Sequence, residues 1–147
     1  MLILAGCGGS GEPKVQWQRV HAAGYQFRAP QGWQVTLGKG RTTVKDGDAF
    51  VQVVTFPLVR AYSADLFEKV RSELDLRMAD VAKQSQGEVT AHRVVTVDGA
   101  RAHQYDVRVG KRTERYTFVL RGKREYLLLC SADAAVCDGL AASFEAG

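Results

Sequence analysis

Two histidines occupy positions where a metal ion or a proton could be handled. His92 and His103 flank Asp98-Gly99, a dipeptide that favours the two-residue turn of a β-hairpin. That turn pairs Val97 with Ala100, which sets His92 opposite Tyr105 and His103 opposite Val94. The imidazoles then share one sheet face as diagonal neighbours, about 7–8 Å apart at the backbone. Imidazole is a good zinc ligand, yet a catalytic zinc takes three protein ligands and a structural zinc four. The sequence assigns no third, so the expectation is two partly exposed sheet histidines and no metal. His21 stands alone in the N-terminal segment.

Other reactive types lack a setting. No Gly-x-Ser-x-Gly elbow is present, and Ser63, Ser72, Ser85, Ser131 and Ser143 have no local context for activation. Asp46-x-Asp48 begins like a calcium loop, but Ala49-Phe50-Val51 follows where further oxygen ligands are required. Gly38-Lys39-Gly40-Arg41 leads into no helix that would make it a phosphate cradle, so it reads as a hairpin connection. No catalytic residue, cofactor or metal ligand is assigned.

The cysteines carry more. There are three: Cys7, Cys130 and Cys137. Leu4-Ala5-Gly6-Cys7 looks like a bacterial lipobox, in which a branched aliphatic and two small residues precede the lipidated cysteine. Small residues let the peptidase approach the scissile bond, and the thiol must be free to take a diacylglycerol thioether. Gly8-Gly9-Ser10-Gly11 then forms a flexible tether. A secretory signal has a basic n-region and a longer apolar stretch than the five residues before Gly6, so the true signal is expected to extend upstream of Met1. With Cys7 acylated, Cys130 and Cys137 can pair in an oxidising compartment; the alternative is two buried free thiols.

The chain has 147 residues, 46% of them hydrophobic and 24% charged, with a net charge of +4. These values exclude a disordered, collagenous or polytopic membrane protein and fit one domain of ordinary core size. Residues 12–24 have no clean period, with Trp17 and Val20 as anchors of an edge segment. Residues 25–30 alternate, placing Tyr25, Phe27 and Ala29 on one face before Pro30 ends the strand. Trp33, Val35 and Leu37 share a face of the next strand, residues 42–45 form a third, and the apolar run 50–56 reads as a strand buried on both faces. Ser63 is the expected N-cap of a helix to about Lys83, with Phe67, Val70, Leu74, Met78 and Val81 on its apolar stripe and Gly87 as its stop. Strands at 89–97, 100–109, 114–120 and 125–130 follow as hairpins, the last two central. A short helix at 134–144 aligns Val136, Leu140 and Phe144, covers the opposite face and brings Cys137 near Cys130.

Hairpin strands, a long helix, a four-strand meander and a terminal helix, together with Tyr25-x-Phe27-x-x-Pro30-x-Gly32-Trp33, resemble the PsbP-like fold over residues 24–145. That fold is shared by many small bacterial envelope lipoproteins, including the LpqN type. The resemblance implies an α+β domain, an antiparallel β-sheet with helices on both faces, and a role in binding partners or assisting assembly without catalysis. The metal-binding residues of photosynthetic members match no positions here and are not carried over.

Charge locates the remaining candidates. From Arg101 to Arg124 eight basic residues face only Asp106 and Glu114, a local balance of +6. Arg108, Lys111, Arg112, Arg115, Lys123 and Arg124 are the candidate contacts for anionic phospholipid, an anionic cell-wall polymer or an acidic envelope protein. The bland alternative is that Lys111-Arg112 and Lys123-Arg124 tip hairpins at opposite ends of one strand and only confer solubility. Nucleic acid is disfavoured, because Arg121-Gly122-Lys123-Arg124 does not continue into the aromatic pattern of an RNA-binding strand. The expectation is residues 1–11 as signal remnant and tether and 12–147 as a single domain. It is a monomer held outside the cytoplasm through Cys7 in a bacterial membrane, acting as a non-catalytic binding or assembly module. Alternatives are a metal-dependent or hydrolase-like enzyme around His92 and His103, or an apolar-ligand carrier with a void lined by Phe67, Leu74 and Val53.

Overall fold

The computed structural model describes residues 14–147, so Cys7 and its flanking tether lie outside the described residues. In order, the elements are β1 (Trp17–Ala22), β2 (Tyr25–Pro30), β3 (Gln34–Gly38), β4 (Arg41–Asp46), β5 (Ala49–Pro57) and α1 (Phe67–Gln84). Then come β6 (Glu88–Val97), β7 (Ala100–Val109), β8 (Arg112–Arg121), β9 (Arg124–Ser131), α2 (Ala134–Ser143) and β10 (Glu145–Ala146). Seven strands form one antiparallel sheet in the order β3-β4-β5-β9-β8-β7-β6. The turn between β6 and β7 has Asp98 and Gly99 both at positive φ (50° and 77°), as a two-residue hairpin loop of this hand requires. It sets the expected register, with Val97 on Ala100, His92 on Tyr105 and His103 on Val94.

After β5, in the middle of the sheet, α1 carries the chain to the far edge, and the β6–β9 meander returns to pair β9 with β5. Leu74, Met78 and Ala82 therefore pack on Tyr105, Val107, Tyr116 and Phe118, with Val70 and Val81 at the margin. Both ends of the helix differ from expectation. Ser63 precedes a single 3-10 turn, Ala64–Leu66, and its hydroxyl donates to the Asp65 carboxylate, not to a backbone amide. At the other end Gln86 takes the left-handed position (φ 58°), and Gly87 N–H closes on Ala82 O at 2.7 Å, a Schellman ending. Gly87 is glycine for a different reason: a Cβ there would stand 2.6 Å from Arg108 O.

The opposite face of the sheet is covered by a layer that the periodicity did not separate from it. β1, β2 and β10 form their own three-stranded sheet in the order β1-β2-β10. Tyr25, Phe27 and Ala29 do share a face as expected. With Val136 and Leu140 of α2, and Phe144 just beyond it, they bury Val44, Val51, Val53, Val119 and Leu128. The Tyr25 hydroxyl, sealed in this layer, bonds Thr42 Oγ1 at 2.5 Å. The fold is thus α+β, with α1 on one face and the small sheet plus α2 on the other.

Coverage is uneven, which corrects two details. β5 is fully buried toward the small sheet at Val51 and Val53, but Phe56 is 37% exposed on the other side because α1 lies over β6, β7 and β8. β3 is an edge strand beyond the reach of the second layer, so Val35 and Leu37 are exposed while Trp33 still packs on the core. Residues 116–119 of β8 are buried on both faces, as the sequence indicated.

A disulfide joins Cys130, near the end of β9, to Cys137 in α2, with the Cα atoms 5.5 Å apart. It pins α2 to the sheet it covers. Replacing both cysteines by alanine is expected to lower the unfolding free energy by about 2–3 kcal/mol, from the closure entropy of so short a loop. Urea denaturation measures this, and unchanged stability would contradict a structural role for the bond.

Candidate functional site

His92 and His103 meet, and His92 is partly exposed as expected, but His103 is not. His103 is 2% exposed, because Phe67, the first residue of α1, stacks on its ring with centroids 4.0 Å apart. His103 Nε2 lies 2.9 Å from Phe67 O, and His103 Nδ1 lies 3.0 Å from His92 Nε2. A carbonyl only accepts, so Nε2 of His103 carries a proton. In the neutral pair its Nδ1 then accepts from His92 Nε2–H. Beside them His92 packs on Tyr105, whose hydroxyl donates to Asp75 Oδ1 at 2.6 Å. Arg71 stands one helical turn before Asp75 on the rim, 3.7 Å from its carboxylate.

This cluster is wired for packing. Burial holds the His92 imidazole below its ordinary pKa, helped by the Arg71 guanidinium and by His103, while Asp75 opposes. Burial also pushes the Tyr105 phenol well above its ordinary value, and the bond to Asp75 adds to this. Among the described residues no three His, Cys, Asp or Glu side chains converge to hold a metal ion. Three of the four ring nitrogens are engaged by protein atoms.

The six candidate basic residues do not form one surface. Lys111 sits in the β7–β8 turn and Lys123 in the β8–β9 turn, at opposite ends of the ten-residue strand β8, a separation of about 33 Å. Several are already neutralised. Arg108 pairs with Glu88 and Arg112 with Glu114. Arg115 bridges Asp106 and Asp138, tying β8 to α2. Arg93 also holds Asp106, so that carboxylate is the hub of a network that includes Gln104 and Thr117.

The void that the ligand-carrier alternative requires between Phe67, Leu74 and Val53 is not formed. Phe67 and Leu74 belong to the α1 side, whereas Val53 is fully buried in the other layer, and the sheet stands between them. The alternating residues of β5 had left the side of each unspecified.

A feature that the sequence did not disclose lies on the outer face of the small sheet. Trp17, Arg19, Arg28, Gly139, Ala142, Ser143 and Glu145 line an open cavity of about 290 Å³. Arg19 and Arg28 are directly opposite one another in the β1–β2 register. The pairing became visible only once β1 was known to be a strand.

With the sandwich and its sites in place, the class of protein is that of the PsbP-like fold. The solution structure of cyanobacterial PsbP (CyanoP) from Synechocystis sp. PCC 6803 matches at a TM-score of 0.65 and 21% identity, covering 98% of this chain and 99% of that one. Likeness at that identity establishes the fold. A crystal structure from Bacteroides thetaiotaomicron VPI-5482 gives a TM-score of 0.48 at 12% identity over 84% of this chain and 45% of that one. No protein-family model and no curated protein matches the sequence. No helix among the described residues is long and apolar enough to cross a membrane.

The histidine pair yields a pH prediction. Because the folded-state pKa of His92 is depressed, the unfolded chain binds the extra proton first as pH falls below about 6.5. Stability from this group is fully present above that value and is lost as pH drops toward the folded pKa. His92→Gln should therefore flatten the acid side of the stability profile between pH 7.5 and 5 in urea titrations; parallel profiles for parent and variant would contradict the assignment.

Proposed function

We propose that this chain is an envelope lipoprotein of PsbP-like fold, similar to the LpqN type. It is held outside the cytoplasm at a bacterial membrane by acyl chains on Cys7 and works as a non-catalytic binding or assembly module. The observation that carries this reading is the fate of the cysteines. Cys130 and Cys137 are joined to each other, which leaves the cysteine of Leu4-Ala5-Gly6-Cys7 as the one outside the bond. A structural disulfide accords with an oxidising compartment, and lipobox processing adds two or more chains, enough for stable anchoring where one is marginal.

The Gly8-Gly9-Ser10-Gly11 stretch has the composition of a flexible linker. A folded module on such a tether gains local concentration at the bilayer without needing high intrinsic affinity. Its partner is an envelope protein or an anionic polymer, and the module acts as a monomer.

Expression from its own gene in a bacterial host, followed by detergent phase separation and mass spectrometry, tests the anchor. The parent is expected in the detergent phase with a diacylglyceryl group on Cys7, and Cys7→Ala in the aqueous phase. A parent recovered from the aqueous phase with Cys7 unmodified would overturn the proposal.

A further inference from the structure

The outward face of β1 and β2 carries an arrangement that a solvated surface does not favour. Val20 and Phe27 point into the core, so their neighbours Arg19 and Arg28 point out, and the register places those two guanidinium-bearing residues directly across from each other. Like charges in that position repel. Neither has a carboxylate partner among the described residues. Arg19 Nη1 donates to Gln26 Oε1 at 3.2 Å, Gln26 in turn donates to Glu145 Oε2 at 2.6 Å, and only the backbone amide of Arg28 is engaged, by Ser143 Oγ at 2.8 Å. The pair opens onto the 290 Å³ cavity floored by Gly139, Ala142 and Ser143 of α2.

Trp17 forms one wall of that cavity, and its placement is tightly determined. A Cβ on Gly139 would stand 2.3 Å from the indole ring, so any other residue would displace the tryptophan. An indole at a rim, two unneutralised guanidinium groups and small residues behind them suit a phosphate-type anion attached to a partly apolar body. Arginine binds such oxyanions through two parallel donors, and tryptophan settles at headgroup depth in a membrane interface.

We infer that this cavity binds the phosphate headgroup of an anionic phospholipid and thereby seats the domain on the bilayer with its β1–β2 face down. The inference rests on the anchoring of Cys7 for its choice of a lipid over a soluble phosphate. Nine residues lie between Cys7 and Trp17, ten Cα steps or roughly 35 Å at full extension, and the chain enters the described fold at this same face. Lipid is thus the phosphate source nearest to the cavity. Glu145 is the one acid on the cavity wall.

Vesicle sedimentation with the full chain carrying Cys7→Ser separates the headgroup site from the acyl anchor. At about 0.1 M salt, this protein is expected to sediment with vesicles of phosphatidylglycerol and phosphatidylcholine in equal parts and not with phosphatidylcholine alone. R19Q/R28Q should bind roughly tenfold more weakly with a thermal midpoint no lower than the parent's, since the substitution relieves repulsion. K111Q/K123Q removes the same charge from two hairpin tips and should retain most of the affinity. Equal binding by R19Q/R28Q and parent, or equal loss in K111Q/K123Q, overturns the inference. So does absent vesicle binding, whether or not inorganic phosphate shifts the Arg19, Arg28 and Trp17 amide resonances. These outcomes do not depend on Cys7, so unmodified Cys7 in the native product would remove the anchor and leave the headgroup site to stand or fall alone.

Discussion

The structure depends on covering the sheet face that α1 does not reach. Val44, Val51, Val53, Leu128 and Cys130 form an apolar floor across β4, β5 and β9, and burying each such side chain is worth about 1.5–3 kcal/mol. One helix of ten residues cannot span that floor. The N-terminal hairpin and α2 share the work, and Phe144, with no exposed surface, fills the seam between them against Tyr25 and Tyr126. β10 then adds two residues to β2, and its backbone N–H at Ala146 reaches the Asp98 carboxylate at 3.1 Å, joining the small sheet to the β6–β7 turn of the main one.

Since strand residues alternate in direction, the hairpin that seals the core must present a second set outward. Tyr25, Phe27 and Ala29 meet the floor; Arg19, Arg28 and Trp17 meet whatever lies beyond. Core packing and surface chemistry are thereby coupled in one element. The polar groups elsewhere are tied inward. His103 is capped by Phe67, Asp106 is held by two arginines, and Arg77 reaches from α1 across Phe56 and Phe118 to the buried Glu125. Such networks tie α1 to the sheet beneath it.

Much of this was legible in residue order. Asp98-Gly99 alone sets the pairing of His92 with Tyr105 and of His103 with Val94, because a two-residue loop fixes register. The stripe from Phe67 to Val81 marks α1, and the spacing of Cys130 and Cys137 across a strand end allows their bond. What escaped depends on contacts distant in sequence. Burial of His103 comes from Phe67, 36 residues away. Nothing local to residues 25–30 says that they pair with β1 and β10 instead of joining the large sheet. β1 itself has one fully buried side chain, Val20, and so no alternation strong enough to announce a strand. The Arg19–Arg28 pairing was hidden for the same reason.

The most direct measurement is hydrogen–deuterium exchange on the acylated chain reconstituted in phosphatidylglycerol-containing bilayers, compared with the free Cys7→Ala chain. If the hairpin is the membrane-facing layer, exchange slows in residues 17–30 and 145–147 and is unchanged along α1 and the 58–66 loop. Slowing confined to α1 and that loop, with the hairpin exchanging as in solution, would contradict it.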